Sequence, residues 1–334
     1  MEAVLLVSVL ISILGTLIFL PKWIKKCREV GLEWKDMNKI ERPKVAASGG
    51  LVVIFSFVIG SLYYVAVRTF ILNNVNGVSV KIFALLSVIL IMGLVGLTDD
   101  LLGWKKGGLS RRFRVFLTLV ASVPLVVINA GVRHMNIPII GKLNFGILYP
   151  LILVPIGIVG ASTTYNFLAG FNGEEAGQGI LILTFLSFIL YINNQSWLSL
   201  IGLVMVGSLL VFYLFNKNPA RVFPGDSLTY SIGAMIAIMA ILGNMEKIAV
   251  FVFIPYILET GLKLRGKLKK YSFGRPREDN SLELKYNKIY SLNHLAIYVL
   301  SKFKEKVRER DVTYFIFSFQ ILIIGLAWLI FVAL

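Results

Sequence analysis

Two adjacent carboxylates stand where a long apolar run ends, in Gly96-Leu97-Thr98-Asp99-Asp100. Carboxylates are costly at membrane depth, so acids placed there usually serve ions or protons. An ordinary acidic helix end is the plain alternative, but an acid at a helix C-terminus opposes the macrodipole. A second group runs from Asn166 to Gly177, after another apolar run, and holds no cation. Asn166 and Asn172 can offer amide oxygens to a hard cation or amide groups to a base. The glycines of that stretch let a backbone approach a ligand closely, although a tight turn between helices would use the same composition. Third, Phe223-Pro224-Gly225-Asp226-Ser227 puts Asp226 at a helix start, where it reads equally as an N-cap and as a metal ligand. Fourth, Arg275-Pro276-Arg277 offers two guanidinium forks of the kind that fit phosphate oxygens. Taken alone, an arginine pair in a loop is usually only solvated. Fifth, the stretch Gly31-Leu32-Glu33-Trp34-Lys35-Asp36-Met37-Asn38-Lys39, with Pro43 and Ser48-Gly49-Gly50 beyond it, reads by itself as a charged loop.

These groups need elements to hold them, and the elements are apolar. Of 334 residues, 57% are hydrophobic, where soluble domains carry about 45–50%; the mean hydropathy is +0.79. Ten apolar segments are predicted, at 2–21, 45–71, 80–98, 113–130, 147–166, 179–193, 197–216, 226–243, 247–265 and 312–334. Each is close to the roughly 20 residues a helix needs to cross a bilayer, and backbone in lipid must satisfy its own hydrogen bonds, so helices are expected. The first run passes into Pro21-Lys22 without a small-residue cleavage site, so it is expected to be a span and not a leader. Between spans four and five, Ile137 to Lys142 is expected to form a small hairpin. The one cysteine, Cys27, allows no intrachain disulfide.

Charge sets the expected orientation. The odd-numbered loops, 22–44, 99–112, 167–178, 217–225 and 266–311 with the turns at 113–114 and 263–265, hold 29 of the 34 Lys and Arg residues. Cationic loops stay in the cytoplasm, so both termini are expected outside and all five groups above fall on the cytoplasmic side. A net charge of +16 here faces lipid headgroups and anionic substrates, and nucleic acid is not an expected partner. No internal repeat is visible, and the acids sit at the membrane edge; both features count against a secondary transporter. The last cytoplasmic loop, 266–311, carries Leu292, Leu295, Ala296, Val299, Leu300, Phe303 and Val307 at helical spacing opposite Lys302, Lys304, Lys306, Arg308 and Arg310. A basic amphipathic helix at the membrane surface is expected there.

One face with three carboxylates, cation-binding amides and arginines suits phosphoryl transfer, which needs a divalent ion and cations around the phosphates. Asp36-Met37-Asn38-Lys39, Asp99-Asp100, the stretch Asn166 to Gln178, and Phe223-Pro224-Gly225-Asp226 resemble, in order, the motifs of the polyprenyl-phosphate N-acetylhexosamine-1-phosphate transferases. The resemblance runs from about Gly31 to Arg277 and is closer to the dolichyl-phosphate GlcNAc-1-phosphate branch of eukaryotes and archaea than to the bacterial phospho-MurNAc-pentapeptide translocases. A histidine cluster of the bacterial branch is missing from the last loop, where His294 reads as structural, and His134 lies on the other side.

The resemblance implies an all-α, polytopic membrane enzyme, a single integral membrane transferase domain over 1–334, with about ten transmembrane helices and a cytoplasmic active site. It implies Mg²⁺, or Mn²⁺ in its place, held by Asn166 and Asp226, with Asp99 and Asp100 as the essential acidic pair. Phe223, Asn172 and the Gly170 backbone look like a uracil site, and Asn38, Lys39 and Glu175 belong with the substrate-binding residues. Arg275 and Arg277 resemble the pair that holds pyrophosphate and GlcNAc. Arg114 falls where the family usually has a lysine on the pyrophosphate, with Arg111 and Arg112 as competing candidates. The implied substrates are UDP-GlcNAc and a polyprenyl or dolichyl phosphate in the plasma membrane of an archaeon, for the first membrane step of N-glycosylation. The same chemistry on another UDP-N-acetylhexosamine, or in cell-wall lipid synthesis, is the alternative. A homodimer is compatible with the resemblance.

Overall fold

The structure is a computed structural model that describes residues 2–74, 76–137 and 141–333. It is a helical bundle with three short two-stranded pairings at its ends. In chain order α1 (Glu2–Val30) leads through β1 (Glu33–Lys35) and β2 (Lys44–Ala46) to α2 (Gly50–Ala66), which runs on as a π-turn over Val67–Ile71. Next come α3 (Gly77–Lys106), α4 (Arg111–Ala121) and α5 (Val123–Val127), then the hairpin β3 (His134–Ile137) and β4 (Gly141–Asn144). A π-turn over Tyr149–Leu153 opens α6 (Val154–Tyr165). The core helices α7 (Glu174–Ile192), α8 (Ser196–Asn216) and α9 (Gly225–Gly243) follow. The chain closes with α10 (Glu246–Val252), α11 (Ile254–Arg265), β5 (Arg275–Pro276), β6 (Leu282–Glu283), α12 (Leu292–Leu300) and α13 (Glu309–Trp328), the last extended by a π-turn over Leu329–Ala333.

All ten predicted apolar segments are helical over most of their length; the second begins at Gly50 and not at 45, since 45–46 belong to β2. Seven helices among the described residues are long and apolar enough to cross a membrane, and Tyr149–Tyr165 is a shorter apolar helix. The fourth and ninth segments differ from expectation, because each is broken in two. Pro124 sits at the start of α5 and Pro255 at the start of α11, where a missing N–H is tolerated but a continuous helix is not. The sixth segment starts earlier than expected. Glu174 to Gln178 form the first turns of α7 and not a loop, with Gly173 as N-cap and two acids on the favourable end of the helix dipole.

The core is built around α9. Its apolar window is 89% buried, against 22% for those of α1 and α13, which lie at the periphery. It packs on α2, α3, α6, α7 and α8. Small residues permit the close approach, as expected where lipid supplies no hydrophobic drive between helices. Gly233 lies against the backbone of Ala161 and Ser162 on α6, and Gly96 of α3 lies against the backbone of Asp226 and Ser227.

At one end of the bundle the first loop is knitted to the start of α9. Strand β2 pairs with β1 in the register Glu33↔Ala46, and Ala46 also bridges to Val222. Phe223 N donates to Ala46 O at 2.8 Å, Gly49 N to Phe223 O at 2.9 Å and Gly50 N to Pro224 O at 2.9 Å. The β3–β4 hairpin occurs where one was expected, although its tip at 138–140 lies outside the described residues. The expected surface helix is shorter than its periodicity suggests. It ends at Leu300, Phe303 in the turn that follows is 81% exposed, and the basic residues 304–308 are irregular chain. Beyond Leu300 the chain is held by tertiary contacts and not by helix periodicity: Val307 is buried and its carbonyl accepts from Leu282 N at 2.7 Å, while Lys304 and Lys306 pair with Asp311 and Asp279.

Candidate active site

Three helix ends meet at that same end of the bundle: the C-terminal part of α3, the C-cap of α6 and the first turn of α9. Asp99 and Asp100 are consecutive, so they point to different sides of α3 and find different partners. Asp100 faces α9: its Oδ1 accepts from Asp226 N at 2.9 Å and its Oδ2 from the Ser48 hydroxyl at 2.8 Å. Gly225, at φ +72°, makes this possible, because a Cβ there would collide with the Asp100 carboxylate. Asp99 faces α4: Oδ1 accepts from Leu109 N at 2.6 Å and Oδ2 pairs with Arg114 Nη1 at 2.9 Å. The same Nη1 lies 3.6 Å from Asp226 Oδ2 and donates to the Tyr230 hydroxyl at 3.3 Å.

Asn166 completes the group. Its Nδ2 donates to Asp226 Oδ1 at 3.2 Å, and its Oδ1 accepts from Thr229 Oγ1 at 3.2 Å. Turning this amide over would set two oxygens side by side at that same 3.2 Å and leave the nitrogen to donate to Thr229. Adjacent ligands on an octahedral Mg²⁺ sit about 3.0 Å apart, given oxygen distances near 2.1 Å. One carboxylate and one amide therefore fit a hard divalent ion that draws its other ligands from water and phosphate. No group of three His, Cys, Asp or Glu residues able to hold a metal exists among the described residues.

Beside these groups opens a cavity of about 450 Å³. Arg114, Asn166 and Tyr230 form its inner wall, and Arg111, Lys263 and Lys270 add cations around it. Arg111 donates to Leu268 O at 2.7 Å. Lys263 is held by Ser272 Oγ at 2.6 Å and lies 3.6 Å from the buried Glu259, one helical turn away. Of the three candidate arginines, Arg114 is the one ion-paired to the site carboxylates; Arg111 lines the cavity and Arg112 is exposed.

The remaining sequence candidates fall into two places. Asn38 bridges two loops, donating to Gly170 O at 2.8 Å and accepting from Gly274 N at 3.1 Å. Glu175 Oε1 accepts from Gly170 N at 3.0 Å. Asn172 is bound to Asp36 and Glu309, and Lys39 is paired with Glu309. Phe223 is partly exposed beside Gly49. Arg275 and Arg277 stand apart from the acids, with Nε atoms 3.4 and 3.1 Å from Glu283 and side chains 72% and 53% exposed. Exposed pairs of this kind are worth about 0–1 kcal/mol, so a phosphate could displace Glu283 at little cost.

His294 is buried in the loop and not at the site. Its ring accepts from Tyr290 N and pairs with Phe273 O at 3.2 Å. Burial, aided by the charges of Lys263 and Lys285, pushes its pKa down to about 4 against the opposing pull of the Phe273 carbonyl.

Sequence reasoning missed Tyr230, Thr229 and Glu309, and saw Ser48 only as part of a loop motif. Thr229 and Tyr230 carry a readable signal, since they lie three and four residues after Asp226 and so share its helix face. Ser48 and Glu309 carry none, because their partners are far away in sequence.

Comparison with known proteins gives a consistent set. Residues 82–244 match the model of glycosyl transferase family 4. The chain is 36% identical over 304 residues to a putative UDP-N-acetylglucosamine-dolichyl-phosphate N-acetylglucosaminephosphotransferase of Saccharolobus solfataricus, covering 90% of this chain and 88% of the relative. It is 34% identical over 307 residues to the protein of the same name in Sulfolobus acidocaldarius, with 90% and 89% covered. A phospho-N-acetylmuramoyl-pentapeptide-transferase of Halalkalibacterium halodurans is 28% identical over 292 residues, with 80% and 86% covered.

Proposed function

The chain belongs to glycosyl transferase family 4, and from that premise we propose that it transfers GlcNAc-1-phosphate from UDP-GlcNAc to a polyprenyl phosphate such as dolichyl phosphate, releasing UMP. This is the first membrane step in building a lipid-linked oligosaccharide for N-glycosylation. The names of the two archaeal relatives support the substrates. The observation that carries the chemistry is the convergence of Asp99, Asp100, Asp226, Asn166 and Arg114 beside one cavity.

An oxygen of the lipid phosphate attacks the sugar-side phosphorus, a new P–O bond forms, and the bond to the bridging oxygen breaks with that oxygen leaving on UMP. A divalent ion bound to Asn166 and Asp226 would neutralise charge on the pyrophosphate oxygens. Arg114 lies where it can hold the phosphate charge not covered by that ion, and Asp99 fixes its position. Asp100 holds the first turn of α9, and thereby Asp226, in register. Gly170, Asn172 and Phe223 would take the uracil, and Arg275 and Arg277 the pyrophosphate and sugar after leaving Glu283.

The reading extends to topology. Three shorter stretches, 111–127, 149–165 and 246–265, would each cross together with the seven long helices to make ten spans. The concentration of Lys and Arg in the odd-numbered loops supports a cytoplasmic site and external termini.

The test is UMP release by purified protein given dolichyl phosphate, Mg²⁺ and each of several UDP-sugars. UDP-GlcNAc should be the best donor, chelation should stop turnover, and Asp226→Ala should lower it by orders of magnitude while the protein still folds. Near-wild-type turnover of Asp226→Ala would overturn the metal assignment.

A further inference from the structure

We propose that Glu309, at the start of the last helix, is a positioning residue that makes this enzyme select uracil, acting through Asn172. The proposal rests on the nucleotide-sugar reading above and deepens it.

Asn172 is 5% exposed and its amide is held by two carboxylates. Nδ2 donates to Asp36 Oδ2 at 3.0 Å and lies 3.4 Å from Glu309 Oε2. The backbone N–H of the same residue donates to Glu309 Oε1 at 2.8 Å. Glu309 and Asp36 are themselves 2% and 4% exposed, and Lys39 pairs with both. The clamp thus ties the turn between α6 and α7, through Asn172, to the first loop and to the start of α13, 136 and 137 residues away in sequence.

An ionised carboxylate only accepts hydrogen bonds, whereas an asparagine amide can donate from one end and accept at the other. Two carboxylates on one side therefore dictate which end faces them. Both N–H bonds of the amide are spent on Asp36 and Glu309, and the carbonyl oxygen is what remains for a ligand. A nucleobase meeting that oxygen must bring a donor. Uracil carries N3–H between its two carbonyls; cytosine has a bare acceptor at the same ring position. With the amide locked, cytosine would face oxygen with a lone pair, and a site built around a hydrogen bond rejects strongly the analogue that cannot make it. With the amide free to turn over, the same residue could serve either base.

Glu309→Gln opens one half of the lock with little change of shape, because a glutamine amide can donate to Asn172 as well as accept from it. Asp36 still accepts from Nδ2 at 3.0 Å, so Glu309→Gln combined with Asp36→Asn frees the amide fully and should narrow the UMP to CMP ratio further. The assay is transfer by the full chain in lipid nanodiscs, with UMP and CMP as competing inhibitors and with KM read separately for UDP-GlcNAc and lipid phosphate. Wild type should prefer UMP. Glu309→Gln should raise the KM for UDP-GlcNAc by about tenfold, the size of one net hydrogen bond. It should leave kcat and the KM for lipid phosphate near wild type and narrow the UMP to CMP ratio by a similar factor. Asn172→Ala combined with Glu309→Gln should lose no more than Asn172→Ala alone.

If Glu309→Gln lowers kcat and both affinities together while the UMP to CMP ratio stays at the wild-type value, Glu309 is only structural and the proposal fails. Should that variant not fold, Asp36→Asn breaks the other half of the clamp, and the same ratio decides the matter. Wild-type enzyme that ignores UMP would bring down the nucleotide-sugar reading itself. Wild type that prefers UMP, with both variants unchanged in ratio, brings down this inference alone.

Discussion

Replacing Gly96 with alanine adds one methyl group where α3 crosses α9, and the consequence can be worked out. A Cβ at that position falls inside contact distance of the Asp226 carbonyl carbon and oxygen and the Ser227 nitrogen, all main-chain atoms. Backbone cannot swing aside as a side-chain tip can. To restore ordinary carbon contacts of about 3.5–4.0 Å the two helices must part by roughly 1 Å. The bond from Asp226 N to Asp100 Oδ1 is 2.9 Å long, and another ~1 Å takes it beyond hydrogen-bonding range. Overpacking of this kind costs about 1–3 kcal/mol, and a misplacement near 1 Å at the reacting groups costs on the order of 100-fold in rate. Both are measurable, as thermal unfolding in detergent and as UMP release. Gly325→Ala on α13 is the control, since a Cβ there meets nothing within 4 Å; it should leave activity unchanged and stability equal or slightly raised. A Gly96→Ala protein that melts with wild type and turns over within about twofold of it would show that the α3–α9 contact is not what sets the acids in place.

Arg114 spends one nitrogen on Asp99, Asp226 and Tyr230, so a point cation should serve. Arg114→Lys should keep turnover within about tenfold of wild type, whereas Arg114→Gln, which leaves Asp99 and Asp226 without their cation, should lose on the order of 100-fold or more. Equal activity of the two variants in the UMP assay would contradict this. His294 is neutral in the fold with its pKa near 4, below the roughly 6.5 of an unfolded histidine. The unfolded chain then binds more protons, so the stabilisation is complete above about pH 6.5 and is lost as pH falls toward 4, by at most about 3 kcal/mol. Melting curves across that window should show the loss in wild type and a flatter acid limb in His294→Gln; parallel limbs would remove His294 as the cause.

Much of this arrangement is legible in the chain itself. Apolar runs with polar interruptions give helices, because backbone away from water must bond to itself. Pro124 and Pro255 mark the two places where a predicted span breaks, and the five polar groups stand out because carboxylates and amides are rare beside such runs. Helix periodicity also tells which residues share a face, so Thr229 and Tyr230 could have been placed with Asp226.

Periodicity does not tell which neighbour that face meets, and here the tertiary structure decides. Asp99 and Asp100 are equivalent in sequence, yet one pairs with Arg114 on α4 and the other with Ser48 and the α9 backbone. Arg111, Arg112 and Arg114 are close in the chain, but one reaches the carboxylates by ion pairing. Glu309 reads in sequence as one acid in a basic stretch and in space closes on Asn172 and Lys39. In each case the partner lies on a separate segment. The meeting is set by how closely small residues such as Gly96, Gly225 and Gly233 let the helices cross. Local preference is a property of neighbouring residues, whereas the distance between two helix axes depends on every side chain packed between them.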